Sequence, residues 1–189
     1  MSSEANRIEA LEATAAQQAE QPLGRLRSLL IEEGGLVGRL VLSDELPHRS
    51  APGPAQIVAS GPRAAGARAE YELLVETIYE GYLLHYHVPR VVRAGEADLG
   101  LLAGDRLYAL GLARLVDLGD IEGVAELADV ITLCALAHAG GQAELAAAIW
   151  VAGARALGWG SSPEYEQAKA LVRAGSSVDA LGALLALSP

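Results

Sequence analysis

Histidines are the side chains of this sequence best suited to binding a transition metal, and the chain contains four of them. His85 and His87 are two residues apart near the end of a helical pattern, whereas His48 and His138 are distant along the chain. Residues two apart on a helix point about 200° away from each other, so His85 and His87 are not expected to share an ion. A site would need at least three converging ligands, and the sequence alone predicts no metal site.

The serine pairs and the single cysteine offer nucleophiles, but each has a structural explanation. Ser161-Ser162 and Ser176-Ser177 precede predicted helices, where a hydroxyl can cap free backbone N–H groups. Cys134 lies on an apolar stripe, which predicts a buried and unreactive thiol, and one cysteine cannot form an internal disulfide. We therefore expect no catalytic residue in this chain.

The elements that position these residues are all predicted to be helices. Ala, Leu and Gly dominate, Phe is absent, and apolar residues recur at three- and four-residue spacing, which together favour packed helices over a sheet. After a first helix that begins at Pro22 and ends at Gly34-Gly35, the predicted helices are 69–87, 97–117, 121–139, 142–157, 163–174 and 177–187. Their short connections predict an antiparallel all-α bundle.

The chain of 189 residues suits one domain. We predict a flexible or frayed helical segment over 1–21 and a single helical domain over 22–189, with a Pro- and Gly-rich loop at 47–66. Within helix 69–87 one face is expected to pack in the core, and Glu72, Glu76 and Glu80 are expected to face water. The residues expected to pack are Tyr71, Leu74, Val75, Ile78, Tyr82 and His85. In the next helix Gly104 and Gly111 would allow a neighbour to approach closely.

The charge balance excludes one class of partner. Fourteen basic and twenty-four acidic side chains give a net charge of −10, which disfavours nucleic-acid binding.

Charged residues interrupt every long apolar segment, so none has the roughly 20 apolar residues of a membrane-spanning helix. We expect a cytoplasmic protein and leave attachment to a membrane surface open.

Three short stretches resemble motifs of one enzyme family. Glu76 and His85 keep the spacing of the helix that ends in the first aspartate-rich motif of the trans-polyprenyl diphosphate synthases, and Leu102-Ala103-Gly104-Asp105 is similar to their next helix. Residues 34–39, which read Gly-Gly-Leu-Val-Gly-Arg, resemble the family's Gly-Gly-Lys-Arg-x-Arg segment, which binds isopentenyl diphosphate. The resemblance implies a truncated fold of the isoprenoid-synthase type.

The chain departs from the family where the chemistry would take place. The positions of the metal-binding aspartates read Tyr86, His87, Val88, Pro89 and Arg90. Magnesium prefers carboxylate oxygens, so these degenerate metal-motif positions, Tyr86, His87 and Arg90, should hold no metal. The second aspartate motif is not found. In these respects the chain is most similar to the small non-catalytic component of two-component heptaprenyl and hexaprenyl diphosphate synthases.

By that resemblance the chain would be a non-catalytic subunit that pairs with a catalytic synthase, completes its elongation tunnel and helps set prenyl chain length, for example for menaquinone biosynthesis. It would carry no cofactor, and Mg²⁺ would lie on the catalytic partner. Arg39, Arg90 and Arg93 are candidates for a vestigial diphosphate site. Candidates for the tunnel or the subunit contact are Leu101, Leu107, Tyr108, Leu110, Leu112 and Leu115. The alternative is a stand-alone helical protein, without enzymatic activity, that binds a prenyl lipid or forms a homodimer.

Overall fold

In a computed structural model, residues 21–42 and 53–187 are described, and they form an all-α bundle, as predicted. Residues 1–20, which make up nearly all of the predicted 1–21 segment, lie outside the described ranges. The α-helices of the described ranges are α1 (Pro22–Glu33), α2 (Gly35–Arg39), α3 (Pro54–Ser60), α4 (Arg68–Tyr86), α5 (Ala97–Asp117), α6 (Ile121–Ala139), α7 (Ala143–Trp159), α8 (Pro163–Arg173) and α9 (Ser177–Ala186). None of them combines the length and the hydropathy needed to cross a bilayer.

Helices α4 to α9 begin and end within two residues of the predicted positions. Side chains cap the starts of α6 and α8, whereas Ser176 makes no such bond to the described residues of α9. The carboxylate of Asp120 accepts the N–H of Gly123 at 2.9 Å at the start of α6. At the start of α8 the Ser162 hydroxyl accepts the N–H of Tyr165 at 3.2 Å. These bonds satisfy backbone donors that lack a partner within the first turn of a helix.

Helix α4 connects two apolar cores. The larger core involves α3 to α9, including the C-terminal part of α5, and the smaller one lies between α1, α2, α4 and the N-terminal part of α5. Leu74 and Ile78 of α4 are fully buried in the larger core, whereas Leu73 packs in the smaller one. The predicted packing face of this helix is confirmed, because its five apolar or aromatic members from Tyr71 to Tyr82 are all buried.

Glycines allow α5 to lie close against α4. A methyl group at Gly104 would lie 2.7 Å from the ring of His85 and 3.0 Å from the carbonyl oxygen of Gly81. One at Gly111 would lie 2.3 Å from Cγ1 of Ile78. The close approach predicted at these two glycines is confirmed, and it joins the two helices that carry the family-like motifs.

The predicted loop at 47–66 needs correction. Residues 43–52 are outside the described ranges, but Pro54–Ser60 forms α3, and a short 3₁₀ turn follows at Pro62–Ala64. Pro54 begins the helix, where its missing N–H causes no loss, and Ala55 and Val58 are fully buried against α4 and α7. A two-turn helix contains too few apolar residues to show a helical period in the sequence. Its stability comes from packing against other helices.

Candidate functional site

Two glutamates one helical turn apart form the centre of the protein's polar interior. Glu76 and Glu80 on α4 are only 1% and 0% exposed, so the prediction that they face water is wrong. Their spacing suited a solvated face, but Gln56 of α3 and the chain after α4, at Arg90, contact this face. A buried carboxylate must find partners, because an unpaired buried charge is strongly unfavourable.

Glu80 holds the chain that follows α4. Its Oε1 accepts hydrogen bonds from the backbone N–H groups of Arg90, Val91 and Val92 at 2.7, 2.6 and 3.1 Å. Leu42 in turn donates its N–H to the carbonyl oxygen of Val91 at 2.8 Å, which joins the end of the α2 segment to this turn. One carboxylate therefore satisfies three consecutive backbone donors and fixes the conformation of the turn.

Arg90 is paired with both glutamates. Its Nη2 donates to Oε2 of Glu76 at 2.7 Å and its Nε donates to Oε2 of Glu80 at 3.1 Å, while the guanidinium lies 5.1 Å from the ring centroid of Tyr79. Burial pulls the pKa of Arg90 down, but the two carboxylates outweigh burial and hold the pKa above its ordinary value. The third nitrogen, Nη1, is buried without a hydrogen-bond partner in ranges 21–42 and 53–187.

Further polar side chains contact Arg90 and its two glutamates. Together they form what we call the buried ion network, which consists of Arg25, Gln56, Glu72, Glu76, Glu80 and Arg90. Gln56 Nε2 donates to Oε1 of Glu72 at 3.3 Å and to Oε1 of Glu76 at 3.4 Å, and Arg25 forms an ion pair with Glu72. Three carboxylates and two guanidiniums are thus linked across α1, α3 and α4. The network therefore joins α1, α3 and the turn after α4 to the centre of α4.

The predicted diphosphate ligands are not in equivalent positions. Arg90 is directed into the buried ion network, whereas Arg39 and Arg93 are exposed. The backbone N–H of Arg93 donates to the carbonyl oxygen of Leu40 at 2.9 Å, so the chain segments that carry the two exposed arginines are adjacent. A diphosphate role for the three remains a prediction, and for Arg90 it would require two ion pairs to break.

The degenerate metal-motif positions Tyr86 and His87 belong to a cluster of rings at the end of α4. The Tyr82 hydroxyl lies 3.0 Å from Nε2 of His87 and 2.9 Å from Nε2 of His138. The ring of Tyr86 stacks on that of His138 with centroids 4.0 Å apart. The rings of His87 and His138 lie 5.5 Å apart because α6 packs beside the end of α4, and their separation in the sequence gives no sign of this contact.

His85 and Asp105, which belong to two different family-like motifs, meet across the α4–α5 interface. Nε2 of His85 lies 3.2 Å from Oδ1 of Asp105, and the His85 ring stacks on Tyr108 at 5.2 Å with an angle of 2° between the planes. The His85 ring lies against Gly104 and the Tyr108 ring against Gly81, where the two helices approach closely. The motif residues therefore take part in helix packing in this chain.

An apolar groove lies between the α1–α2 corner and α5. Its volume is about 340 Å³. It is lined by Leu30, Leu36, Val37, Leu102, Leu107 and Leu110 together with Glu33, Gly34, Gly35 and Arg106. Arg106 Nη2 pairs with Oε2 of Glu33 at 3.0 Å. Two of the stretches with family resemblance, at 34–39 and 102–105, therefore both contribute to its walls.

The six predicted tunnel or contact residues on α5 lie in different surroundings. Leu107 and Leu110 line the groove, Leu115 is fully buried in the larger core, and Leu101 is 43% exposed. Tyr108 and Leu112 are partly buried against the larger core. The functional role of these six residues remains a prediction. Leu107 and Leu110 are the two that could contact a molecule in the groove.

Another pocket, of about 400 Å³, lies between α6, α7 and α8. Lys169, which is 4% exposed, places its Nζ 3.1 Å from Glu126, 3.0 Å from Asp129 and 2.8 Å from Glu166. Burial lowers the pKa of Lys169, but the surrounding carboxylates outweigh this effect and raise the pKa overall. The charges at the centre of this pocket are paired with one another, so the cluster joins α8 to α6.

Comparison of the chain with protein-family models, with curated proteins and with solved structures found no match. Within 21–42 and 53–187, no three His, Cys, Asp or Glu side chains are grouped so as to hold a metal ion. The site must therefore be interpreted from its own geometry.

Proposed function

We propose that this protein is a non-catalytic subunit of a long-chain trans-polyprenyl diphosphate synthase and that its apolar groove faces the catalytic partner. The observation that carries the proposal is that the two family-like stretches at 34–39 and 102–105 both line this one groove. The groove is mostly apolar where the family has diphosphate-binding cations, since Leu36 and Val37 occupy those positions.

The prenyl-transfer reaction is assigned to the catalytic partner, because residues 86–90, at the positions of the family's first aspartate-rich motif, contain no carboxylate. Ionisation of an allylic diphosphate requires Mg²⁺ held by carboxylate oxygens. Glu76 and Glu80, the buried carboxylates of the helix that leads to these positions, are already bonded to Arg90 and to backbone N–H groups. In the proposed complex, Mg²⁺ and both diphosphates bind to the catalytic subunit.

The groove would contribute apolar surface to the elongation tunnel. Each isoprene unit adds hydrocarbon, and burying apolar surface is favourable by about 25 cal/mol per Å². Leu102, which lines the groove, is 60% exposed. This side chain would be buried on assembly, and the groove would help set the length of a prenyl chain of the kind attached to menaquinone. In the absence of a partner, the same groove favours the alternative function of binding a prenyl lipid.

We predict that Leu102→Glu weakens association with the source organism's long-chain synthase at least tenfold, because a carboxylate would lose water within an apolar contact. Affinity can be measured by titrating one purified protein into the other. The matched control is Leu185→Glu on α9, since Leu185 is also exposed, at 52%, and does not line the groove. Equal affinity for the two variants would contradict the assignment of this surface, and the absence of association by the unaltered protein would contradict the subunit function.

A further inference from the structure

Independently of the proposed function, we propose that His87, His138 and Tyr82 form a binding site for one transition-metal ion of the Zn²⁺ or Cu²⁺ class. Both imidazole Nε2 atoms lie within hydrogen-bond distance of the same phenolic oxygen, at 3.0 and 2.9 Å. Three potential ligand atoms from α4, the residue that follows it and α6 therefore converge on one point. The third ligand is a phenol, a group outside the His, Cys, Asp and Glu side chains that most metal sites use.

The hydrogen bonds at this point involve one hydroxyl and two neighbouring ring nitrogens. A phenol has one proton and can donate it to only one imidazole, so the other imidazole must donate to the phenolic oxygen. Each imidazole would bind the ion through Nε2 in its neutral form, and the hydroxyl proton of Tyr82 would be released to solvent when the phenolate binds the ion.

Binding would require a small expansion of this arrangement. Zinc lies about 2.0–2.1 Å from its nitrogen ligands, so neighbouring ligand atoms of a tetrahedral site are about 3.3 Å apart. Each imidazole nitrogen must therefore move slightly away from the phenolic oxygen, from 3.0 and 2.9 Å, to admit the ion. His138 is held by stacking on Tyr86 at 4.0 Å, and Tyr82 is 3% exposed within the core. His87 is exposed and lies just beyond the last residue of α4, with an extended backbone. We therefore assign His87 as the ligand that moves most and His138 and Tyr82 as the preformed part.

The chemistry of the ligands selects the class of ion. Imidazole nitrogen suits Zn²⁺ and Cu²⁺, whereas Mg²⁺ and Ca²⁺ require oxygen ligands. Water can complete the coordination on the side where His87 is exposed. Cys134 is not included, because its thiol is buried, donates to the carbonyl oxygen of Ala146 at 3.6 Å and has a pKa raised by burial. The net charge of −10 also favours the approach of a cation.

The test is calorimetric titration of the full, untagged chain with Zn²⁺. We expect one ion per chain, with His87→Gln and His138→Gln each weakening binding at least tenfold. His85→Gln is the matched control, because the His85 imidazole faces Asp105 and Tyr108 and should leave binding unchanged. Absence of saturable binding, or equal affinity in the His138→Gln variant, would overturn the proposal.

A second measurement on the unaltered protein covers the case in which a variant fails to fold. The ring ¹⁵N resonances of the histidines are recorded during the Zn²⁺ titration. Nε2 of His87 and of His138 should shift together at a ratio of one ion per chain, while His85 stays unchanged. Shifts of His85 alone, or of neither His87 nor His138, would overturn the proposal.

Discussion

Replacing Arg90 with alanine is expected to destabilise the protein by about 3–5 kcal/mol, because it removes the guanidinium that is paired with two buried carboxylates. Glu76 and Glu80 are almost completely excluded from solvent, and Arg90 donates to both at 2.7 and 3.1 Å. Gln56 and the backbone N–H groups at 90–92 would still donate to these carboxylates, but these donors are uncharged and cannot replace the guanidinium. The free energy of unfolding, measured by urea denaturation, gives the result directly.

Arg93→Ala is the matched control for this change. Arg93 lies three residues further along the same segment and is exposed, and its backbone bond to Leu40 does not involve its side chain. We expect Arg93→Ala to change stability by less than about 0.5 kcal/mol. If Arg90→Ala were no more destabilising than Arg93→Ala, the ion pairs of Arg90 in the buried ion network would not contribute to stability as proposed.

Gly61→Ala is expected to destabilise the protein by about 3 kcal/mol, at the upper end of the range for overpacked interiors. The added methyl group would lie 2.4 Å from the carbonyl oxygen and 2.6 Å from the Cα of Gly158 on α7. Both are backbone atoms, so no side-chain rotation can relieve the contact, and α3 would have to move away from α7. Thermal unfolding should show a decrease in Tm of roughly 10 °C for a chain of this size.

Gly66→Ala tests whether this effect comes from contact rather than from the loss of glycine itself. Gly66 lies in the same connection before α4, and a methyl group there meets no atom within 4 Å. We expect this variant to be neutral or slightly more stable, since alanine restricts the unfolded chain. Equal Tm values for the two variants would show that the approach of Gly61 to Gly158 is not tight.

The sequence predicted those parts of the fold that depend on local pattern. Helices α5 and α6 begin and end at the predicted residues, because apolar periodicity and the Asp120 cap define them within the chain itself. The buried face of α4 followed from the same periodicity. Helix α3 was missed, because it is short and is stabilised by Ala55 and Val58 packing against distant helices.

The candidate site was harder to predict, because its contacts join distant parts of the chain. The four-residue spacing of Glu76 and Glu80 fits a solvated face as well as a buried one, and it is α3, through Gln56, and the turn at 89–92 that make this face internal. An arginine after the helix was the one available signal, since a buried carboxylate pair requires a cation. The approach of His138 to His87 had no signal in local spacing at all.

Prenyl-transfer activity on mixing is the most direct test of the subunit proposal. Farnesyl diphosphate, radiolabelled isopentenyl diphosphate and Mg²⁺ are supplied to this protein alone, to the source organism's long-chain synthase alone, and to the two together. We predict no product from this protein alone and long-chain product only in the mixture. Identical products from the synthase with and without this protein, or turnover by this protein alone, would contradict the proposal.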